Sequence, residues 1–393
     1  MDKKNKIIKI ITILADRANY GRLKPVLELL RDDDDIESHI VCTGTMLLDK
    51  FGKSIDVVKK NGFFVGDEVY IELEGATPST MSKSIGLGII QLSNVYERLK
   101  PDFVLVIGDR YEALSAAIAA VYQNYCLIHV QGGEVTGSID ESTRHAITKL
   151  AHYHFPSTKR SEEYIVKMGE HKETVFAFGC PSIDIIRHSE KSFNKELLTN
   201  SKFGVGNGID IEKPYLLVLF HPVTTEYIEA EQQMEELLKA LKDSEQQIVI
   251  IWPNIDAGSN GISQAIRKFR ENNHGVPLHA YKNFEPEDYI PILRNAACAV
   301  GNSSSFVRDA SFIGTPVVLV GSRQDGREWC TSVKRVKPKR KEILDAINDQ
   351  VRIGRYPVSD IYGEPGASQL IANKISELKP YSQKYLSYTK KPF

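Results

Sequence analysis

Residues 103–130 read FVLVIGDRYEALSAAIAAVYQNYCLIHV. Their two ends, Phe103–Ile107 and Cys126–Val130, are continuous apolar runs, whereas Tyr111–Tyr122 between them carries its apolar residues at helical spacing. Strands that are apolar on both faces are typical of a parallel sheet covered by helices. These residues therefore predict a strand, a helix and a second parallel strand, the repeating unit of an α/β fold.

The same alternation recurs along the whole chain. Further strands are predicted at Ile7–Leu14, His39–Thr43, Thr174–Phe178, Tyr215–Phe220, Ile248–Trp252, Cys298–Gly301 and Pro316–Val320. Helices are predicted at Leu23–Leu30, Ser142–His154, Glu226–Leu241, Ser263–Asn272, Glu287–Asn295 and Phe306–Ile313. The pattern predicts an α/β protein of two doubly wound parallel-sheet domains with the active site in the cleft between them.

A polar, glycine-containing stretch over residues 194–213 separates the two series of strands. We place an N-terminal domain at residues 1–190 and a C-terminal domain at residues 191–366. The last segment, residues 367–393, contains a predicted helix at Ala367–Leu378 that we expect to pack back on the N-terminal domain. The sequence GVGNG at residues 204–208 follows no predicted strand, which favours a linker over a dinucleotide-binding loop.

Composition narrows the classes of function. The 393 residues include 50 Lys+Arg and 51 Asp+Glu, so no basic surplus exists for nucleic acid or an anionic membrane. The five cysteines form no CxxC pair, which argues against a disulfide framework or zinc site and favours a reducing cytoplasm. No apolar run approaches the roughly 18 residues of a membrane span. His152 and His154 do not share a helical face, so no metal site is predicted there.

Two clusters of charged residues follow predicted strands of the first half. Asp109 and Arg110 come directly after Phe103–Ile107, where an α/β fold presents catalytic groups, although Asp109 as a simple helix cap is an equal alternative. After Cys126–Val130 a glycine-rich loop offers Glu134 and Asp140 as acid or base candidates and Arg144 as an anion contact. Here the alternative is that Asp140 or Ser138 caps the following helix.

Three polar stretches close strands of the second half. They contain His221, Asn254 and the sequence GNSSS at residues 301–305. Serine hydroxyls and free backbone N–H groups at the start of the helix Phe306–Ile313 predict a diphosphate site, and Asp309 one turn later can hold ribose hydroxyls. An ordinary serine N-cap is the equal alternative.

Taken together and in order, these motifs resemble the hydrolysing UDP-N-acetylglucosamine 2-epimerases of sialic acid and related nonulosonate biosynthesis. The resemblance runs from about residue 7 to about residue 375. Its motifs are Asp16–Tyr20, Gly108–Arg110, Gly132–Glu134, Arg144–Leu150, His221–Thr225, Gly301–Ser304 and Gly321–Gln324. It implies a GT-B fold of two Rossmann-like halves, in agreement with the pattern of strands and helices.

The resemblance also implies a reaction, in which the C2 proton of UDP-N-acetylglucosamine is removed, UDP is expelled and the glycal intermediate is hydrated to N-acetylmannosamine. Carried over by position, the catalytic residues are Asp109, Glu134, Asp140 and His221. The implied substrate contacts are Arg17, Gly21, Arg110, Gln131, Arg144, Asn254, Ser303, Ser304, Asp309 and Arg323. No cofactor or metal is implied. Relatives associate as dimers or tetramers, so a homodimer or homotetramer is expected.

Several positions depart from the family pattern. Gln131 replaces a catalytic carboxylate, so either Glu134 serves instead or two carboxylates suffice. Met46 replaces a histidine, Gly21 replaces a serine, and Asp309 stands where relatives have glutamate. The changes at Gln131 and Met46 motivate an alternative substrate for the same chemistry, UDP-2,4-diacetamido-2,4,6-trideoxyglucose of the legionaminic acid pathway. A GT-B glycosyltransferase and a non-catalytic nucleotide-sugar sensor are the alternatives from other classes.

Overall fold

The computed structural model describes residues 7–189, 193–200 and 204–389, and its first sheet belongs to the N-terminal half. The strands of this sheet are β1 (Ile8–Leu14), β2 (Ile36–Thr43), β3 (Val65–Val69), β4 (Phe103–Ile107), β5 (Cys126–Val130) and β6 (Tyr153–Phe155). They lie in the order β3-β2-β1-β4-β5-β6, and every neighbouring pair is parallel. The strand order reverses between β1 and β4, so residues after these two strands meet at one crevice.

A second sheet lies in the C-terminal half. Its strands are β7 (Val205–Gly206), β8 (Tyr215–Leu219), β9 (Gln247–Ile251), β10 (Leu278–Tyr281), β11 (Cys298–Gly301), β12 (Val317–Val320) and β13 (Val333–Val336). Their order is β13-β12-β11-β8-β9-β10-β7, and only β7, which pairs with β10, is antiparallel. The two sheets confirm the predicted α/β architecture of two doubly wound halves.

Helices cover both faces of each sheet. They are α1 (Arg17–Arg31), α2 (Ile55–Lys60), α3 (Pro78–Leu99), α4 (Tyr111–Tyr122), α5 (Asp140–Leu150), α6 (Lys159–Lys167), α7 (Ser182–His188), α8 (Glu196–Thr199), α9 (Ala230–Asp243), α10 (Ser259–Asn272), α11 (Pro286–Asn295), α12 (Ser304–Ile313), α13 (Arg340–Ile353) and α14 (Ala367–Glu377). The inner strands are buried along their whole length, because helices pack against each side. Within the described ranges, no helix is both long and apolar enough to cross a membrane.

The edges of the sheets differ from the sequence prediction. The strand predicted at Thr174–Phe178 is wrong, since only Val175 forms a bridge there, to His154. The sixth strand is instead β6, which the sequence assigned to the end of the helix Ser142–His154. That helix ends at Leu150, and Ala151 already has an extended backbone. The sequence did not predict the polar edge strands β3 and β13 or the short strands β7 and β10. A linker was expected where the structure has β7.

The C-terminal helix α14 packs against α1 and completes the core of the first sheet. Its residues Ile371, Ala372 and Ile375 and the following Leu378 are buried in the same cluster as strand residues of β1. The chain therefore passes from the first half to the second and back again.

Replacing Ile371 by alanine is expected to lower the free energy of unfolding of this half by about 2–5 kcal/mol, because it leaves a cavity in a fully buried position. Urea denaturation measures the change. Leu370→Ala is the matched control, since the neighbouring leucine is 50% exposed and its loss should change stability little. Equal effects of the two substitutions would contradict the packing of α14 described above.

Candidate active site

A cleft between the two halves gathers most of the residues predicted for the site. Those that line it are Arg17, Gly21, Asp109, Arg110, Asp140, His221, Asn254, Ser303, Ser304, Asp309 and Arg323. Gln131, Glu134 and Arg144 do not line it and are buried behind its wall. Among the residues that the structure describes, no group of three His, Cys, Asp or Glu side chains is arranged to hold a metal ion.

Asp109 lies in the turn after β4, where Gly108 adopts the left-handed backbone with φ 78°. The fully buried Arg144 donates a hydrogen bond to Asp109 Oδ2, and Arg327 Nη2 lies 4.0 Å from the same oxygen. Burial alone would raise the pKa of Asp109, but the charges of Arg144 and Arg327 outweigh it and hold that pKa far below its usual range. Asp109 is therefore ionised at neutral pH.

Asp140 faces the same cleft, but its pKa is shifted in the opposite direction from that of Asp109. It is the first residue of α5 rather than its N-cap, and its backbone N–H donates to Ser138 Oγ at 3.3 Å. Burial and the negative charge of Asp109 raise the pKa of Asp140 to about 6, although Arg323, 3.4 Å away, opposes the shift. Asp140 can therefore gain and lose a proton near neutral pH.

Glu134 was predicted as a proton-exchanging residue, and its position corrects this. Its carboxylate lies behind the cleft, where Arg308 contacts Oε2 and Arg327 Nη1 lies 2.8 Å from the same oxygen. Burial would raise the pKa of Glu134, but these two arginines lower it to about 2. Glu134 stays ionised and holds two cleft arginines in place.

The predictions of substrate contact for Arg144 and Gln131 are also corrected. Both side chains are fully buried. Besides its bond to Asp109, Arg144 donates to the backbone oxygen of Glu134 at 2.8 Å and to Thr136 Oγ1 at 3.2 Å. Arg144 thus orients Asp109 and the loop after β5 instead of reaching a ligand.

Arg110 lines the cleft, yet its guanidinium is occupied by protein carboxylates. It pairs with Glu112 at 2.9 Å and with Asp256 at 3.0 Å. Burial would lower the pKa of Arg110, but these carboxylates raise it well above its ordinary value. Arg110 also occupies the N-cap position of α4, so Asp109 does not cap that helix. The arginine joins the two halves through Asp256.

His221 supplies a neutral hydrogen-bond donor. The backbone N–H of Asn254 donates to His221 Nδ1 at 3.2 Å, so the ring carries its proton on Nε2. Burial lowers the pKa of His221 well below its usual value, and the nearby Arg323 and Arg17 reinforce the shift. Arg17 itself crosses the cleft and donates to the backbone oxygens of Lys282 and Trp252, at 2.7 and 3.2 Å.

The start of α12 lines the cleft with the hydroxyl groups of three serines. Ser303 is the N-cap and accepts a hydrogen bond from Ser305 N–H at 3.3 Å. It caps the helix and also lines the cleft. Ser304 Oγ accepts a bond from Arg22 Nη2 at 2.6 Å. Further along the helix, Asp309 Oδ1 accepts from Ser182 Oγ at 2.8 Å, and burial raises its pKa.

Three arginines of the cleft were not predicted: Arg22, Arg308 and Arg327. Arg308 Nη1 and Nε of both Arg308 and Arg327 are buried and have no hydrogen-bond partner in the described part of the chain. Both arginines pair with Glu134, but these remaining N–H groups could donate to an anionic ligand. Each lies close in sequence to a predicted residue: Arg22 follows Gly21, Arg308 precedes Asp309, and Arg327 lies four residues after Arg323. The sequence does not show which residues they contact.

The two halves are in backbone contact at the loop before α5. Gly137 N–H donates to the backbone oxygen of Arg323 at 3.2 Å, and a Cβ on Gly137 would lie 2.0 Å from the Ser322 oxygen. Only glycine permits this approach, which sets Arg323 beside Asp140.

Comparisons with known proteins agree with this architecture. The family model described as UDP-N-acetylglucosamine 2-epimerase matches residues 28–376. The chain is 33% identical over 377 residues to a hydrolysing UDP-N,N'-diacetylbacillosamine 2-epimerase of Legionella pneumophila, covering 96% of this chain and 98% of that protein. It is 30% identical over 354 residues to a UDP-N-acetylglucosamine 2-epimerase of Neisseria meningitidis, covering 90% of each.

The fold is also similar to those of solved structures. A crystal structure of the Neisseria meningitidis UDP-GlcNAc 2-epimerase bound to UDP-GlcNAc superposes with a TM-score of 0.77 at 18% identity, covering 94% of this chain and 100% of that chain. The predicted GT-B fold is confirmed. Because the family model spans most of the sequence, from the first helix to the last, the chain belongs to the UDP-N-acetylglucosamine 2-epimerase family.

Proposed function

We propose that this chain is a hydrolysing 2-epimerase, which converts a UDP-linked 2-acetamido sugar and water into UDP and a free sugar inverted at C2. The observation that carries the proposal is the pair of cleft carboxylates, since Asp109 is held ionised while Asp140 has a pKa of about 6. Carboxylates whose environments push their pKa values apart are typical of sites that divide charge stabilisation from proton transfer.

The proposed reaction is an elimination followed by a hydration. The C1–O bond to UDP breaks and its electron pair leaves on the diphosphate, while C2 loses its proton to a carboxylate, so that a C1=C2 double bond forms. Water then adds its hydroxyl group to C1 and a proton to C2 on the opposite face, and the carboxylate releases to solvent the proton that it removed. The sum is nucleotide sugar plus water giving UDP plus the C2-epimeric sugar.

We assign the removal of the C2 proton to Asp140, because a base is most effective when its pKa lies near the working pH. Asp109 stays charged and stabilises the positive charge that develops at C1 as UDP departs. Arg144 keeps Asp109 in its ionised state and in one orientation. Two carboxylates suffice in this scheme, without Glu134.

In this proposal the leaving diphosphate lies at the start of α12. Arg22 and Arg308 supply positive charge, Ser303 and Ser304 lie at the start of α12, and His221 offers its Nε2–H. Preorganised donors of this kind stabilise a leaving group best because they need no reorganisation during the reaction.

For the sugar, we propose a UDP-linked 2,4-diacetamido-2,4,6-trideoxy hexose as the first candidate. The support is the similarity to the Legionella pneumophila enzyme, at 33% identity over nearly all of both chains. UDP-N-acetylglucosamine, which would give N-acetylmannosamine, is the second candidate and has support from the Neisseria meningitidis relative. Gln131 and Met46 do not discriminate between them, because neither lines the cleft.

The test is incubation with each nucleotide sugar in heavy water, followed by NMR identification of the products. We expect free sugar, stoichiometric UDP and one deuterium at C2, with the faster turnover on the diacetamido substrate. Faster turnover of UDP-N-acetylglucosamine would select the second candidate. A C2 epimer still linked to UDP would refute hydrolysis, and a product without deuterium at C2 would favour a glycosyltransferase.

Gly137→Ala is expected to lower kcat/KM by about tenfold to a hundredfold, because the added Cβ pushes the Arg323 loop away from Asp140. The backbone of Gly137 is not in the left-handed region, so the effect is one of contact and not of local strain. Gly275→Ala is the matched control, since nothing lies within 4 Å of a Cβ at that position. An unchanged kcat/KM for Gly137→Ala would show that this approach of the halves is dispensable.

A further inference from the structure

Arg22, like Arg17, differs from the remaining arginines at the cleft because its guanidinium contacts no carboxylate of the described residues. Arg22 Nη1 donates to Gln131 Oε1 at 3.2 Å, and Nη2 donates to Ser304 Oγ at 2.6 Å. Both acceptors are neutral. No ion pair of the described residues involves Arg22. Five other arginines of the site each contact a carboxylate, namely Arg110, Arg144, Arg308, Arg323 and Arg327.

The surroundings of Arg22 lower its pKa and so disfavour its charged form. Burial lowers the pKa of Arg22, and the like charge of Arg308 lowers it further, while Cys180, Asp309 and Asp109 raise it. Two neighbouring cations at the start of α12 are stable together when an anion lies between or beside them. Arg22 is therefore a partly buried cation of the cleft that contacts no carboxylate within the described residues.

Gln131 is fixed in place at some cost. Its φ of 62° puts a residue other than glycine in the left-handed region, and its N–H donates to the Phe155 oxygen at 2.8 Å. The side chain is fully buried, and both ends of the amide are used, because Nε2 donates to Cys180 Sγ at 3.1 Å while Oε1 accepts from Arg22. Such backbone strain persists where the surrounding structure demands one side-chain direction.

We propose that Gln131 is a positioning residue that orients Arg22 toward the diphosphate through a neutral hydrogen bond and so leaves the full positive charge of Arg22 to the ligand. The inference rests on the proposed function, in which the ligand is a UDP-linked sugar. It gives Gln131 a role of its own, distinct from that of a catalytic carboxylate that has been lost. A carboxylate in its place would form an ion pair with Arg22 and so cancel the positive charge that Arg22 offers to the diphosphate.

The test measures UDP binding to the full-length chain by titration calorimetry, without turnover. Gln131→Glu keeps the size of the side chain and is expected to weaken UDP binding by about tenfold or more, because the new carboxylate pairs with Arg22 and cancels the charge that Arg22 would otherwise offer to the ligand. Gln131→Met, which keeps the volume but removes both hydrogen bonds, should weaken it by less. Gln369→Glu on α14 is the control for an added charge, since Gln369 is exposed and lies outside the cleft, where its side chain bonds to Asn373.

A double-mutant cycle separates positioning from a general structural effect. In an Arg22→Gln background, the Gln131→Met and Gln131→Glu changes should alter UDP binding by no more than about threefold, because the group through which Gln131 acts is absent. An undiminished effect there would overturn the proposal. So would Gln131→Glu binding UDP as tightly as the parent chain, or raising kcat as a restored carboxylate would.

The outcomes remain distinguishable from failure of the proposed reaction. If the unmodified chain binds UDP but yields no free sugar, the hydrolysing function fails while the UDP affinities of the Gln131 variants still report on Arg22. If Gln131→Glu does not fold by circular dichroism, Gln131→Met and its cycle with Arg22→Gln carry the test.

Discussion

Replacing Asp109 by asparagine is expected to slow UDP release from the nucleotide sugar by on the order of 10²–10⁴-fold. The substitution removes the one cleft carboxylate that Arg144 and Arg327 hold ionised. Without it, the charge that develops at C1 during elimination has no fixed counter-charge. UDP itself should still bind, because the proposed diphosphate contacts come from α12 and from Arg22 and Arg308.

The measurement is a single-turnover assay of UDP release, combined with UDP titration of the same protein. The fold should survive, since the asparagine oxygen can still accept the hydrogen bond from Arg144. Asp67→Asn is the matched control, because Asp67 pairs with Arg98 on the surface of the same half, away from the cleft. A variant at Asp109 that keeps more than about a tenth of the activity would refute the role given to this carboxylate.

The second large effect concerns Asp140 and pH. We expect kcat/KM to fall about tenfold for each pH unit below about 6, because Asp140 must be ionised to accept the C2 proton and its pKa is raised to about 6. Above that pH the carboxylate is free and the profile should level off. Asp140→Asn should lose on the order of 10²–10⁴-fold in rate and also lose this acidic limb.

Binding of the nucleotide sugar to the slow Asp109→Asn variant over the same pH range is the control, since a limb caused by weaker binding would appear there as well. Asp109 stays ionised across this range and should not contribute an inflection. Persistence of the limb in Asp140→Asn would assign it to another group and would contradict Asp140 as the base.

The inner strands of both sheets could be predicted because burial leaves an unmistakable record in the sequence. Phe103–Ile107 and Cys298–Gly301 are apolar on both faces and begin and end where predicted. Edge strands carry no such record. Val65–Val69 reads VGDEV with alternate residues exposed, so its polar composition resembles that of a loop, and only pairing with β2 makes it a strand.

The site was predictable where a residue follows a strand and hidden where its role depends on the other half of the chain. Asp109 and Asp140 were found because they lie beyond β4 and β5. Glu134 looked equally exposed to a ligand in the sequence, yet Arg308, 174 residues further on, covers it. Arg308 and Arg22 were missed for the same reason, since their partners are distant in sequence.

The return of α14 to the first half has a consequence for how the protein is made. A ribosome releases the chain from its N-terminus, so the first sheet emerges early, while Ile371 and Ile375 of its core emerge only after the whole second half. The half that begins first is therefore completed last. Until then its apolar face on α1 is exposed, and this interval is when a nascent chain would most need a chaperone.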